Sequence, residues 1–377
     1  MRIRARHYAT GRPIEVHCEQ DRIVSVADAA ASSGLPAREA GWVAPALFDL
    51  QINGCDGHNF SSEQLTVESV RHVAHVCRAH GIGGFCPTLI TNSQAALEHG
   101  FTVLRRACET DPDLAAAIPV FHLEGPYLSP EDGPRGAHPR RHVRPPNWDE
   151  FQRLQAAAGG RIRLLTLAPE HEGALRFIER LTAAGVVAAL GHTAADGARI
   201  RDAIAAGARL STHLGNGSHA MLPRHENYVW EQLAADELWA SIICDGHHLP
   251  PALVRCFLRV KTPARTILTC DSSSLAGKPP GKYREWETEL EILPTGKIVV
   301  AGTCYLAGSG DFTDRCVGNV MRFAGVSLRD AVDMAGARPR ELLRLSPRTL
   351  EAGQPAELVL FDWEEGGEFR VRELIHS

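Results

Sequence analysis

Ala44-Pro45-Ala46-Leu47-Phe48-Asp49-Leu50-Gln51-Ile52-Asn53-Gly54-Cys55 is an apolar run of strand length that ends in Gln-x-Asn. An open doubly wound sheet more often follows its first strand with a Gly-x-Gly-x-x-Gly turn, and that pattern is missing here. Seven further apolar runs follow: Gly84–Ile90, Ile118–Leu123, Ile162–Leu167, Val186–Leu190, Ala208–Ser211, Ala240–Cys244 and Thr266–Cys270. Between them, Val67–His80, Leu175–Ala184 and Leu249–Val260 carry apolar residues at the three- and four-residue spacing of helices. Eight strands, each followed by a helix or a long loop, predict a closed (β/α)8 TIM-type barrel over residues 44–346.

The two ends read differently. Residues 1–43 hold short alternating runs, Ile14-Glu15-Val16 and Arg22-Ile23-Val24-Ser25-Val26. Residues 347–377 hold Glu357-Leu358-Val359-Leu360-Phe361 and Phe369-Arg370-Val371. Together they predict one small β-sandwich domain built from both termini. A hairpin is expected from Trp286–Ile292 and Lys297–Val300, turned by Pro294-Thr295-Gly296.

Composition narrows the class. The 377 residues are 44% hydrophobic and 23% charged, ordinary for a globular chain. Against 45 Asp and Glu stand 40 Lys and Arg, so no basic excess exists to neutralise nucleic-acid phosphates. No run approaches the roughly 20 apolar residues of a membrane span, and the N-terminus leads into no apolar signal segment. A cytoplasmic protein is expected. The 10 cysteines include no Cys-x-x-Cys, which argues against a zinc ribbon or a redox dithiol and for reduced, buried thiols. The 18 histidines are about twice average usage.

Barrel enzymes place their chemistry at the C-terminal ends of the strands. Here those ends read Gln51-Ile52-Asn53, His122-Leu123-Glu124, Gly191-His192-Thr193, Thr212-His213, Asp245-Gly246-His247-His248 and Asp271. Glu124, His192 and His213 compose a metal set: one carboxylate and two imidazoles suit zinc and leave a position open for water. Asp271 could take a proton from that water and pass it on; a buried ion pair or a helix cap are its alternative roles. His122, two residues before Glu124, faces the same side of its strand.

The sequence resembles the N-acetylglucosamine-6-phosphate deacetylase family of the amidohydrolase superfamily. The likeness is carried by Phe48–Gly54, Pro87-Thr88-Leu89-Ile90-Thr91, His122-Leu123-Glu124-Gly125-Pro126-Tyr127, Leu167-Ala168-Pro169-Glu170, Gly191-His192-Thr193, Thr212-His213-Leu214 and Ile243–His248. It extends to Gly353–Leu358 in the C-terminal segment. The resemblance implies a barrel in which Glu124, His192 and His213 bind one divalent metal ion and Asp271 acts as acid and base. Zinc is the leading ion, with Fe2+, Co2+ and Mn2+ able to use the same ligands. It gives His138, in Arg135-Gly136-Ala137-His138, the task of polarising the acetyl carbonyl. It places Asn216 and Gly217 along the bound sugar and His248 and Arg224 at its phosphate, with Arg224 reaching across the interface of a homodimer. The reaction implied is removal of the acetyl group from an N-acetylated amino sugar, the 6-phosphate foremost.

Some positions depart from the family pattern. Gln51 and Asn53 stand where many amidohydrolases carry His-x-His, which favours one metal ion over two. Asn216-Gly217-Ser218 replaces Asn-Ala-Met, Asp271 is followed by Ser272-Ser273-Ser274, and Pro223-Arg224-His225-Glu226-Asn227 replaces a Gly-Arg-Glu-Pro-Gly stretch. These changes leave the metal set intact and reshape the sugar pocket. Arg224 reads equally as a solvated surface side chain. Two other readings remain open: the same metal core acting on an unphosphorylated or different N-acyl substrate, and a catalytically silent sugar-binding barrel. Loops 129–145 and 272–284, rich in Gly and Pro, are expected to close over the site.

Overall fold

The computed structural model describes residues 1–29, 37–285 and 288–376. Its centre is an eight-stranded parallel sheet whose strands follow chain order: Leu47–Ile52, Ile82–Ile90, Phe121–Glu124, Ile162–Leu167, Val187–Leu190, Leu210–Ser211, Trp239–Ile242 and Thr266–Leu268. The first and eighth strands are brought together by side chains and loops. Asp49 accepts from the Cys270 N–H at 2.9 Å and from the Thr269 and Thr313 hydroxyls. Ile52, the last residue of the first strand, bridges Ser272 in parallel, and the Asn53 N–H donates to the Ser272 carbonyl at 3.1 Å. Asp49 therefore works as a clasp: a buried carboxylate persists only when hydrogen-bonded, and this one has four donors, counting the Gln51 N–H.

Alternation along the strands sorts side chains into two sets. Phe48, Leu50, Leu164, Ala189, Leu210, Trp239 and Ile267 share one core cluster, together with Leu342 and Leu343 beside the helix Ala337–Leu342. Leu47, Leu123, Leu165, Leu167 and Leu190 join the larger core shared with the surrounding helices. The helix Val67–Ala79 shows why such helices form: Thr66 caps its N-terminus by accepting from the Ser69 N–H, and Val70, Val73, Ala74 and Cys77 make the buried stripe.

The chain termini build a six-stranded, mostly antiparallel sheet. Arg2–His7, Pro13–Glu19, Arg22–Asp28 and Arg38–Pro45 come from the N-terminus; Leu358–Asp362 and Arg370–Ile375 come from the C-terminus. Arg38–Pro45 is continuous with the first barrel strand, so the expected run from Ala44 divides between two sheets. Of the expected hairpin, Thr288–Ile292 pairs with Ile298–Val300, and Gly281–Glu285 adds a third strand; Trp286 lies outside the described residues. Among the described residues no helix is long and apolar enough to cross a membrane. All ten cysteines are free thiols; eight are buried as expected, whereas Cys256 and Cys304 are exposed. Cys256 falls on the outer face of its helix, and Cys304 sits in a loop at a cavity mouth.

Candidate active site

Glu124 ends the third strand, and His192 and His213 follow the fifth and sixth by two residues each. Glu124 Oε1 lies 3.0 Å from His213 Nε2 and 3.3 Å from His192 Nε2, and the two imidazole nitrogens are 3.1 Å apart. All three residues are buried. His192 Nδ1 sits 2.8 Å from the Pro134 carbonyl, which accepts its proton and leaves the Nε2 lone pair turned to the cluster. A tetrahedral zinc at about 2.0–2.1 Å from each donor requires donor spacings of roughly 3.3–3.4 Å. The observed spacings and the unprotonated His192 Nε2 fit a divalent cation.

Asp271 stands beside this set, three residues past the eighth strand. Its Oδ1 accepts from Gln51 Nε2 at 2.9 Å and Asn53 Nδ2 at 2.7 Å, and Gln51 Nε2 also donates to Glu124 Oε1 at 3.0 Å. Gln51 thus ties the Asp271 carboxylate to Glu124, and Asn53, just past the first strand, holds Asp271 as well. Burial, reinforced by the Glu124 charge, pushes the Asp271 carboxyl up to about 8. For Glu124 burial also acts upward, but contact with the His192 and His213 imidazoles outweighs it and holds the group well below the usual carboxylate range.

His192, His213 and Asp271 all have left-handed backbone, with φ of 52°, 30° and 53°. Each such residue costs about 1–3 kcal/mol, and the strain persists only where the surroundings over-determine it. Here hydrogen bonds supply that constraint. Glu170, from the Leu-Ala-Pro-Glu segment, accepts from the Thr193 hydroxyl at 2.6 Å and the Ala194 N–H at 2.8 Å. The Ser241 hydroxyl accepts from the His213 N–H at 2.8 Å, and the Ser309 N–H donates to the Asp271 carbonyl at 2.8 Å. Beneath the cluster, His122 bridges the Thr88 and Thr166 hydroxyls at 3.2 and 2.9 Å, and burial lowers it to about 4, a neutral strut.

A cavity of about 310 Å³ opens over these groups. Its walls include His138, Asn216, Gly217 and His248 together with Glu124, His192, His213 and Asp271. His138 is buried, with Nε2 3.9 Å from Glu124 Oε2; burial, then His192, lowers it to about 3, so the ring is neutral. Gly217 has φ of +56°, and a Cβ there would stand 2.7 Å from His192 Nδ1, so glycine lets this loop lie against the metal set. His248 Nδ1 is 2.7 Å from Asp245 Oδ2, and Asp245 also accepts from the His247 and His248 N–H groups. Burial raises Asp245, but the His248 hydrogen bond outweighs that and brings it to about 2. Arg224 stands apart: it is exposed, is not in the cavity wall, and lies near exposed Met221 and Trp230.

Sequence reasoning missed Asn59, Glu285, Ser274, Cys304 and Tyr305, which also line the cavity. Glu285 accepts from Asn59 Nδ2 at 2.7 Å and from the Ser274 hydroxyl at 2.8 Å, joining the hairpin to the barrel mouth. No local pattern marks these residues; only the Ser272-Ser273-Ser274 departure pointed toward this side of the pocket.

No protein-family model matches the chain. It is 36% identical to N-acetylglucosamine-6-phosphate deacetylase of Bos taurus over 334 residues, covering 85% of this chain and 79% of the relative. It is 30% identical to N-acetylgalactosamine-6-phosphate deacetylase of Escherichia coli O157:H7, covering 86% of this chain and 85% of that one. The crystal structure of N-acetyl-D-glucosamine-6-phosphate deacetylase from Mycobacterium smegmatis superposes with a TM-score of 0.89 at 30% identity, over 100% of this chain and 98% of the other. With the barrel, the terminal sheet and the Glu–His–His set all in place, the chain belongs to the N-acetylglucosamine-6-phosphate deacetylase family of the amidohydrolase superfamily.

Proposed function

We propose that the protein hydrolyses the acetamide of N-acetylglucosamine 6-phosphate, releasing acetate and the amino sugar phosphate. The observation that carries this reading is the convergence in one cavity of the Glu124–His192–His213 set with the Asp271 carboxyl. Glu124, His192 and His213 would hold one divalent cation, zinc by the match of donor types and spacing. When bound, such a cation polarises an amide carbonyl and acidifies water. Asp271, positioned by Gln51 and Asn53, takes the proton of the attacking water and returns it to the departing amine. His138 donates from Nε2 to the carbonyl oxygen as negative charge develops there. Asn216 and Gly217 line the sugar, and the Asp245-oriented His248 faces its phosphate.

Residues 44–346 form the catalytic unit in this reading, and residues 1–43 and 347–377 the supporting β domain. Ten free cysteines fit a reducing, cytoplasmic setting. A homodimer accounts for Arg224, whose exposed side chain would supply a phosphate contact to the partner subunit's cavity. Arg224→Ala should lower kcat/KM for the phosphorylated sugar about tenfold, some 1.4 kcal/mol, and leave the unphosphorylated sugar unaffected. Equal turnover of the phosphorylated sugar by both proteins, or a monomer in sedimentation, would return Arg224 to the solvated surface.

Acetate release with metal content measured on the same sample tests the main reading. N-acetylglucosamine 6-phosphate should exceed N-acetylglucosamine in kcat/KM by at least about 100-fold, or 2.8 kcal/mol of charge-assisted contacts. Equal rates would favour an unphosphorylated substrate; no acetate and no metal would favour a silent barrel. The Escherichia coli relative supports one second reading, N-acetylgalactosamine 6-phosphate, which belongs in the same comparison.

A further inference from the structure

A histidine that donates from Nε2 to a carbonyl oxygen must carry its proton on that nitrogen. We propose that Thr91 is the positioning residue that sets this state: its hydroxyl donates to His138 Nδ1 and holds the neutral ring as the Nε2–H tautomer. The proposal rests on the donor role given to His138 above and adds to it the group that makes the role available.

Thr91 directly follows the second barrel strand, Ile82–Ile90, and is 1% exposed. Among the described residues, its Oγ1 has one hydrogen-bond partner, His138 Nδ1 at 2.9 Å. A hydroxyl has a single proton, so the direction of this bond fixes the tautomer. If Nδ1–H donated to Oγ1, the threonine proton would be buried without an acceptor, which proteins avoid. That direction would also turn the bare Nε2 lone pair toward Glu124 Oε2, 3.9 Å away. Donation from Thr91 removes both conflicts, since Nε2–H then faces the carboxylate and the cavity. The two rings beside it limit other arrangements: His138 and His192 pack edge to face with centroids 4.4 Å apart. Gly125 keeps the space open for the hydroxyl. A Cβ at that position would stand 2.2 Å from Thr91 Oγ1, and its φ of +77° suits glycine.

The test is long-range 1H–15N spectroscopy of zinc-loaded protein labelled with 15N-histidine, the His138 signals being identified by their loss in His138→Gln. The Nε2–H pattern is expected in the wild type and in Thr91→Ser. Thr91→Val keeps the shape without the hydroxyl, and Thr91→Ala removes the hydroxyl a second way. In each, the His138 pattern should shift toward Nδ1–H, and kcat should fall by about tenfold or more, within the worth of one oxyanion donor, while KM changes little. Thr91→Ser should restore both. A wild-type Nδ1–H pattern, or an unchanged pattern and kcat in the variants lacking the hydroxyl, overturns the proposal. Full kcat in His138→Gln would instead remove the donor role of His138, and the spectra would still decide what Thr91 does.

Discussion

Asp271→Asn lowers kcat by roughly 10²- to 10⁴-fold, the worth of a positioned general acid and base, while metal content and melting temperature stay near those of the wild type. Asparagine is the informative substitution because position 271 has left-handed backbone, φ 53°, which Asn tolerates and Ala does not. Its side-chain carbonyl can still accept from Gln51 Nε2 and Asn53 Nδ2, so the mouth of the barrel keeps its geometry. What it cannot do is take up a proton and release it. Near-normal turnover in this variant would remove Asp271 from the chemistry and leave it as the anchor for the two amides.

Glu124→Gln abolishes function by a different route. Metal affinity should fall by more than about 100-fold, exceeding the loss typical when only a supporting hydrogen bond is removed. Glu124 is the one carboxylate of the set; it accepts from Gln51 Nε2 and lies 3.3 and 3.0 Å from the Nε2 atoms of His192 and His213. Metal-free, the variant should melt below the metal-free wild type, because an ionised Glu124 held well below the usual carboxylate range stabilises the fold at neutral pH and Gln cannot supply that charge. The rise in melting temperature on adding zinc should vanish. Calorimetry and metal analysis on the two proteins distinguish these outcomes; an undiminished metal content would show that the two histidines suffice.

The eight barrel strands were legible because strands covered by helices read as short apolar runs between turn signals. Their starts were less legible. Ile118–Leu123 begins as a strand only at Phe121, because Asp111 and Pro112 nucleate the helix Pro112–Ala117 just upstream. Ala44 and Pro45 pair with Val359 and Leu358 of the terminal sheet, a contact across more than 300 residues that no local pattern reports. The clustering of Glu124, His192 and His213 was legible for a related reason. Strand ends are chain-local features, so Glu124, His192 and His213 could be placed at one rim by counting strands.

The remainder of the site is made by groups that meet only after folding. Glu285 reaches Asn59 across 226 positions, Thr91 meets His138 across 47, and Asp49 clasps the eighth strand across 221. The left-handed backbone at His192, His213 and Asp271 is likewise invisible in residue type, because it is imposed by neighbours such as Glu170, Ser241 and Ser309. Arg224 marks the boundary from the other side: its family position led to an expectation at the phosphate, yet within one chain it stands outside the cavity. Residue type and periodicity by themselves determined the barrel, the terminal β domain and the ligand types at the rim, since these depend on local burial patterns and chemical identity. Which side chains share the cavity, which tautomer His138 takes and how Asp271 is held were decided by tertiary structure alone, because hydrogen-bond partners distant in sequence and desolvation exist only once the barrel has closed.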